Sequence, residues 1–126
     1  AEDAPRLRPY LKLAEELGSF AGQIVESGLK GITVEYAGHV AELNTRPLTA
    51  IALKGLLGPL MESVNMVNAP MIARERDIKV TEVKRGDDDL YQTLISLTVV
   101  TDTQTSTVSG TLFGSMPRLV DLDSIH

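Results

Sequence analysis

The chain has 126 residues, of which 17 are acidic, 12 are basic and none is cysteine, and its net charge is -5 with both histidines neutral. This length suits one domain with one core, while the acidic balance disfavours nonspecific binding to nucleic acid, and the missing thiols exclude disulfides and cysteine-ligated zinc. No apolar run approaches the roughly 18 residues that a membrane span needs, so we expect a soluble domain of a reducing cytoplasm.

The first 27 residues predict a long amphipathic helix over residues 4–27. Apolar side chains recur there at helical spacing, while Glu16 and Gln23 fall elsewhere on its surface. Gly18 and Gly22 lie four residues apart, which predicts that another element approaches the helix closely within the core. The chain begins with neither methionine nor a signal segment, so we expect a piece of a longer polypeptide.

Alternating apolar residues predict a first strand over residues 30–37, with a bend at Gly38 and a continuation to about residue 41. Asn44 or Thr45 is placed to cap a second helix over residues 46–64. Pro59 lies inside this helical pattern, and an internal proline removes one backbone hydrogen bond and crowds the preceding turn. We therefore predict a kink or a break of this helix near Gly58.

The second half of the chain predicts one short helix and then a run of strands. Asn68 as N-cap and Pro70 in the first turn indicate a helix over residues 69–76. The predicted strands span residues 78–84, 90–100, 105–113 and 118–126, and the last two are joined by a turn at residues 114–117.

Connections between these elements predict the fold class. The helical crossover makes the first two strands parallel, and the short turns make the later strands antiparallel. The fold class is therefore predicted as α+β, with a mixed, largely antiparallel sheet and helices packed on one face.

No catalytic, metal-binding or nucleotide-binding constellation emerges from the sequence. His39 and His126 lie far apart without ligand spacing, and the acidic run at residues 87–89 is most simply a solvated hairpin tip. The glycines form neither GxGxxG nor GxxxxGK[ST]. Arg118 lies beside the predicted turn, where a guanidinium can bind a carboxylate or phosphate bidentately, although a solvated surface arginine is the simpler interpretation.

Two segments, VNMVNAPMIARERDI (residues 64–78) and VSGTLFGSMPRLVDLDSIH (residues 108–126), resemble the intervening domain of long-form D-3-phosphoglycerate dehydrogenase. The opening helix (residues 4–24) and ALKGLLGPL (residues 52–60) are also similar to that family, so the resemblance covers essentially the whole chain. The family's intervening domain is also called its allosteric substrate-binding domain. It lies between an NAD-dependent catalytic part and a C-terminal ACT domain.

The resemblance implies a parent enzyme that oxidises 3-phosphoglycerate to 3-phosphohydroxypyruvate with NAD, in L-serine biosynthesis, and that forms homotetramers. The catalytic residues and the NAD site belong to the absent catalytic part, so none is assigned to this chain. Arg118 and His126 match family residues of an anion site shared with the ACT domain, for phosphate or phosphoglycerate. The chain stops before a further arginine that some members place downstream, and Asp77 replaces a common glycine.

Two other interpretations stay open from the sequence. The domain could come from another enzyme of serine metabolism, such as iron-sulfur L-serine dehydratase, where it would bind a small molecule or another subunit. It could also serve only as a spacer and oligomer contact, because many family members lack the regulatory anion effect.

Overall fold

The computed structural model describes residues 4–25, 28–87 and 90–125. Its three helices are α1 (Ala4–Ile24), α2 (Arg46–Leu57) and α3 (Ala69–Glu75). Its five strands are β1 (Leu29–Gly38), β2 (Lys79–Arg85), β3 (Thr93–Thr101), β4 (Thr105–Phe113) and β5 (Met116–Ile125). Short 3-10 turns follow β1 (His39–Glu42) and α2 (Gly58–Leu60).

The strands form one sheet in the order β2-β1-β3-β4-β5. β1 and β2 run parallel, with Ile32 opposite Val80, whereas the other three pairs are antiparallel. The predicted mixed, largely antiparallel sheet is therefore confirmed. Strands β2 and β5 form the two edges, which places Arg118 on an edge strand.

The core lies between one face of this sheet and the helices. Ile32, Val34 and Tyr36 point into it from β1, and Leu48 and Leu56 meet them from α2. Leucines and alanines of α1 complete the same hydrophobic cluster over the later strands. The predicted packing of helices on one face and the predicted α+β class are confirmed.

Several element ends differ from the predictions. Gly38 has φ 78°, and the chain leaves the sheet there into a 3-10 turn, so the predicted continuation of the strand to residue 41 is wrong. β3 begins at Thr93 and not at residue 90 as predicted, because its ladder with β1 ends at the pair Gly38 and Thr93. α2 ends at Leu57, and the residues around Pro59 form a 3-10 turn, so the predicted break near Gly58 is confirmed but the helix to residue 64 is wrong.

Thr45 and Asn68 occupy the predicted cap positions, but their side chains bond elsewhere. The other candidate for α2, Asn44, accepts the Arg46 N–H through its Oδ1 at 3.4 Å. Asn68 precedes α3, yet its Oδ1 accepts a hydrogen bond from the Asn65 backbone N–H at 2.8 Å, and no side-chain cap bond forms. Thr45 precedes α2, and its hydroxyl donates to Glu82 at 3.0 Å. The sequence also predicts Asp3 as the N-cap of α1, and this residue lies outside the described residues.

Asp77 ends α3 in the left-handed conformation, with φ 59°. Its N–H donates to the Arg74 carbonyl at 3.2 Å, and the Ile78 N–H donates to the Ala73 carbonyl at 2.8 Å. These two bonds form a Schellman motif, which usually has glycine at this position. Aspartate tolerates left-handed backbone better than most residues, so the helix end keeps its geometry.

Helices α1 and α2 approach each other through glycines, as the sequence predicted. A Cβ built on Gly18 would lie 2.1 Å from the Ala52 carbonyl oxygen, and one on Gly22 would lie 2.5 Å from that of Leu56. From the other side, a Cβ on Gly55 would lie 2.6 Å from the Glu15 carbonyl oxygen. Such distances fall well inside van der Waals contact, so only glycine permits this packing.

A chain of polar side chains connects β1 to α2 and β2. The Tyr36 hydroxyl lies 2.7 Å from Thr49 Oγ1, and the Thr49 hydroxyl donates to Glu82. The Thr45 hydroxyl donates to the other oxygen of the same carboxylate. Tyr36 is fully buried, and this burial raises the pKa of its phenol above the usual value, with the negative charge of Glu82 adding to the shift.

We expect Gly18→Ala to lower the free energy of unfolding by about 3 kcal/mol, because the new methyl group meets α2 backbone that cannot move aside. Chemical denaturation measures the effect. Gly58→Ala is the matched control: nothing lies within 4 Å of its Cβ position, and its backbone is helical. Equal effects of the two substitutions would contradict the close approach of α1 and α2.

The burial of the Tyr36 phenol predicts that the domain loses stability at alkaline pH. An unfolded tyrosine loses its proton near a pKa of about 10, whereas the buried phenol keeps it to higher pH. Above this pH the unfolded state binds fewer protons, so the free energy of unfolding falls by up to about 1.4 kcal/mol per pH unit. Tyr36→Phe removes this contribution, so the difference in free energy of unfolding between the unaltered domain and the variant narrows as pH rises. Chemical denaturation at several alkaline pH values measures this difference, and a constant difference would contradict the prediction.

Candidate functional site

The hairpin of β4 and β5 carries Arg118. Phe113 pairs with Met116, so the turn consists of Gly114 and Ser115, and Gly114 has φ 62°. A positive φ at the first of two turn residues but not at the second is typical of a type II′ hairpin, and Ser115 has no positive φ. The predicted four-residue turn is therefore too long, because residues 116 and 117 already belong to β5. Pro117 lies on an edge strand, where a missing N–H costs little.

A bulge bends β5 shortly after Arg118. The register passes from Gly110 opposite Leu119 to Ser109 opposite Asp121, and Val120 has no partner in it. A bulge adds twist and re-aims the neighbouring side chains, and it also protects a free sheet edge from pairing with another chain. The hairpin therefore presents Arg118 between a tight turn and a bend.

Arg118 lines a groove between α1 and the start of β5. The groove has a volume of about 370 Å³, and its α1 side includes Glu16, Ser19 and Gln23. Beside it, a Cβ on Gly110 would lie 2.7 Å from the Leu13 side chain. The missing side chain of Gly110 therefore brings α1 close to β4 at this point.

The Arg118 side chain is exposed, and its Nη1 donates to the Pro117 carbonyl oxygen at 2.9 Å. Among the residues with described structure it forms no salt bridge, although Glu16 lines the same groove. Most of its guanidinium N–H groups thus remain available to a ligand. Arg118 is the one basic residue among those that line this groove in the described parts of the chain.

The structure describes only one of the two predicted anion-site residues. Arg118 lies in the groove, whereas His126 falls outside the described residues, so their separation stays untested. Glu16 and Gln23 lie outside the apolar stripe of the predicted helix, but they were not predicted to be groove residues. The signal was their spacing of seven residues, which puts both on one face of α1.

The described residues contain no group of three or more His, Asp or Glu side chains positioned for a metal ion. His39 is exposed at the start of the 3-10 turn after β1 and does not line the groove of Arg118. The acidic run is described only at Asp87, because residues 88 and 89 lie outside the described ranges. None of the described helices has both the length and the hydropathy to cross a membrane.

Fold and groove together define a two-layer α+β domain with an exposed arginine on its edge strand. A family model described as the D-3-phosphoglycerate dehydrogenase intervening domain matches residues 6–123. The chain belongs to this family.

Relatives of the chain carry the name D-3-phosphoglycerate dehydrogenase. The protein from Synechocystis is 39% identical over 121 residues, which are 94% of this chain and 22% of that protein. The protein from Methanocaldococcus jannaschii is 32% identical over 123 residues (97% and 23%), and that from Bacillus subtilis is 31% identical over 129 residues (99% and 24%). The chain therefore spans about a quarter of the length of the curated relatives it matches.

The hairpin geometry yields a stability prediction with a matched control. Gly114→Ala forces a side chain into left-handed backbone, so we expect the free energy of unfolding to fall by about 1 kcal/mol. Gly86→Ala should change it by less than about 0.5 kcal/mol, because Gly86 lacks a positive φ and nothing lies within 4 Å of its Cβ position. Urea denaturation of both variants tests this, and an equal loss would contradict the type II′ turn.

Proposed function

We propose that this chain is the intervening domain of an NAD-dependent D-3-phosphoglycerate dehydrogenase, which oxidises 3-phosphoglycerate to 3-phosphohydroxypyruvate in L-serine biosynthesis. The observation that carries the proposal is the family match over residues 6–123, together with relatives of that name along nearly the whole chain. These names favour the dehydrogenase over the alternative origin in an iron-sulfur L-serine dehydratase. Hydride transfer and NAD binding are assigned to the catalytic part, since this sequence has no GxGxxG.

Within that enzyme, Arg118 helps to hold an anion such as phosphate or phosphoglycerate at the domain edge. An exposed guanidinium without a salt bridge to a described residue presents a planar set of donors that fits a phosphate or carboxylate. Glu16 in the same groove opposes a bound anion, so further cations must come from a neighbouring domain. The ACT domain is the proposed source, with His126 as a second contact from this chain.

An anion shared by two domains would couple its own binding to their relative orientation. A ligand shifts a conformational equilibrium only by its difference in affinity for the two states. If one orientation brings cations of the ACT domain to Arg118, the anion stabilises that orientation. We propose this as the regulatory role of the domain, within a cytoplasmic homo-oligomer that the family resemblance suggests is a tetramer.

Calorimetric titration of the full-length enzyme with inorganic phosphate and with 3-phosphoglycerate tests this role. Arg118→Ala should weaken the regulatory binding by about tenfold or more, because a charge-assisted bidentate contact is lost. Arg118→Lys should give an intermediate affinity, because lysine keeps the charge without the planar fork.

Arg76→Ala is the matched control for this experiment. Arg76 is also exposed but lies at the end of α3, outside the hairpin groove, so its loss should leave anion affinity unchanged. Unchanged regulatory affinity in Arg118→Ala would reject the assignment of Arg118. It would leave the domain as a spacer and oligomer contact.

A further inference from the structure

A second groove lies at the opposite sheet edge, between α2, α3 and β2. It has a volume of about 740 Å³, within the range of roughly 300–1,000 Å³ that is usual for small-molecule sites. Leu53, Met66 and Ile78 contribute apolar surface to it. This groove shares no residue with the one that holds Arg118.

Glu82 brings a fixed negative charge to this groove. Its two carboxylate oxygens accept hydrogen bonds from the hydroxyls of Thr45 and Thr49, which are only 2% and 7% exposed. Behind them, buried Tyr36 contacts Thr49 and fixes its position. The carboxylate is thus held in place from the core side while Glu82 itself stays accessible from the groove.

Two positive charges line the same groove. Arg46 begins α2 and Arg74 lies in the last turn of α3, and both side chains are exposed. No nitrogen of either arginine lies within 4 Å of a Glu82 oxygen, and neither forms a salt bridge with another residue of the described ranges. The groove therefore keeps opposite charges apart, beside an apolar surface, instead of neutralising them internally.

We propose that this groove binds a small zwitterion, namely an α-amino acid with an apolar side chain. The ammonium group would pair with Glu82, the carboxylate with Arg46 and Arg74, and the side chain would cover Met66 and Ile78. Each contact uses a group that has the complementary charge or polarity and lacks an ion-pair partner in the described structure. The site is independent of the anion contact proposed at Arg118.

The edge strand itself favours a small ligand over an extended peptide. β2 has a free edge to which a peptide strand could add, but it carries Lys79, Lys84 and Arg85. Charged residues on an edge strand oppose the addition of another strand. A free amino acid needs only the charges and the apolar surface of the groove, and it leaves the strand edge untouched.

Titration of the 126-residue chain with three matched compounds tests the proposal. L-Leucine has both charged groups, 4-methylpentanoate lacks the ammonium group, and 3-methylbutylamine lacks the carboxylate. We expect L-leucine to give saturable shifts of the Val80 and Ile78 backbone amides in two-dimensional NMR spectra. Each truncated compound should bind about tenfold or more weakly than L-leucine, because one charge-assisted contact is lost.

Paired variants then assign the charges. Glu82→Gln removes the charge; its carbonyl oxygen can still accept from one of the two threonine hydroxyls, and its amide N–H can donate to the other. Arg74→Ala removes one carboxylate contact. Each should weaken L-leucine binding by about tenfold or more. Glu62→Gln and Arg76→Ala should leave it unchanged, since neither residue lines the groove. Circular dichroism spectra verify that all four variants are folded.

Three kinds of outcome would overturn the proposal. The first is an absence of saturable shifts up to about 20 mM L-leucine, a concentration that still detects a Kd in the millimolar range. The second is equal affinity of L-leucine and 4-methylpentanoate, or undiminished binding by folded Glu82→Gln. The third is binding of an acidic peptide at β2 without binding of L-leucine, which would identify the groove as a peptide site.

Discussion

Backbone contact between α1 and α2 is the constraint on which this domain depends. Gly18 and Gly22 on one helix and Gly55 on the other leave no space even for a methyl group. The joined helices cover one face of the sheet, α1 over the later strands and α2 toward β1. Each of the two grooves lies where this helical layer meets an edge of the sheet.

The two edges of the sheet differ in chemistry. At β5, a tight turn and a bulge present Arg118, an arginine without a salt bridge to the described residues. At β2, Glu82 is held by Thr45 just before α2, by Thr49 within it and by the tyrosine behind Thr49. One edge thus supplies a single cation that suits an anion shared with a neighbour, and the other supplies both charges, which suits a complete small ligand.

Local sequence patterns predicted the elements well and their ends less well. Alternation and helical spacing identified the strands and helices, and Pro59 correctly indicated a break near Gly58. The strand limits at Gly38 and Thr93 depend on each other, because a strand ends where its partner leaves the ladder. Likewise, Thr45 and Asn68 have the right identity for caps, but other partners compete for their side chains.

By itself the sequence determined the fold class, the need for close packing at Gly18 and Gly22, the hairpin with Arg118 and the family resemblance, since each follows from residue patterns along the chain. Only the tertiary structure decided which residues come together in the two grooves. Glu82 meets Thr45 and Thr49 across separations of 37 and 33 residues, and Arg118 meets α1 from almost the far end of the chain. Such meetings follow from strand order and register, which bring distant segments together through cooperative packing that no local pattern specifies.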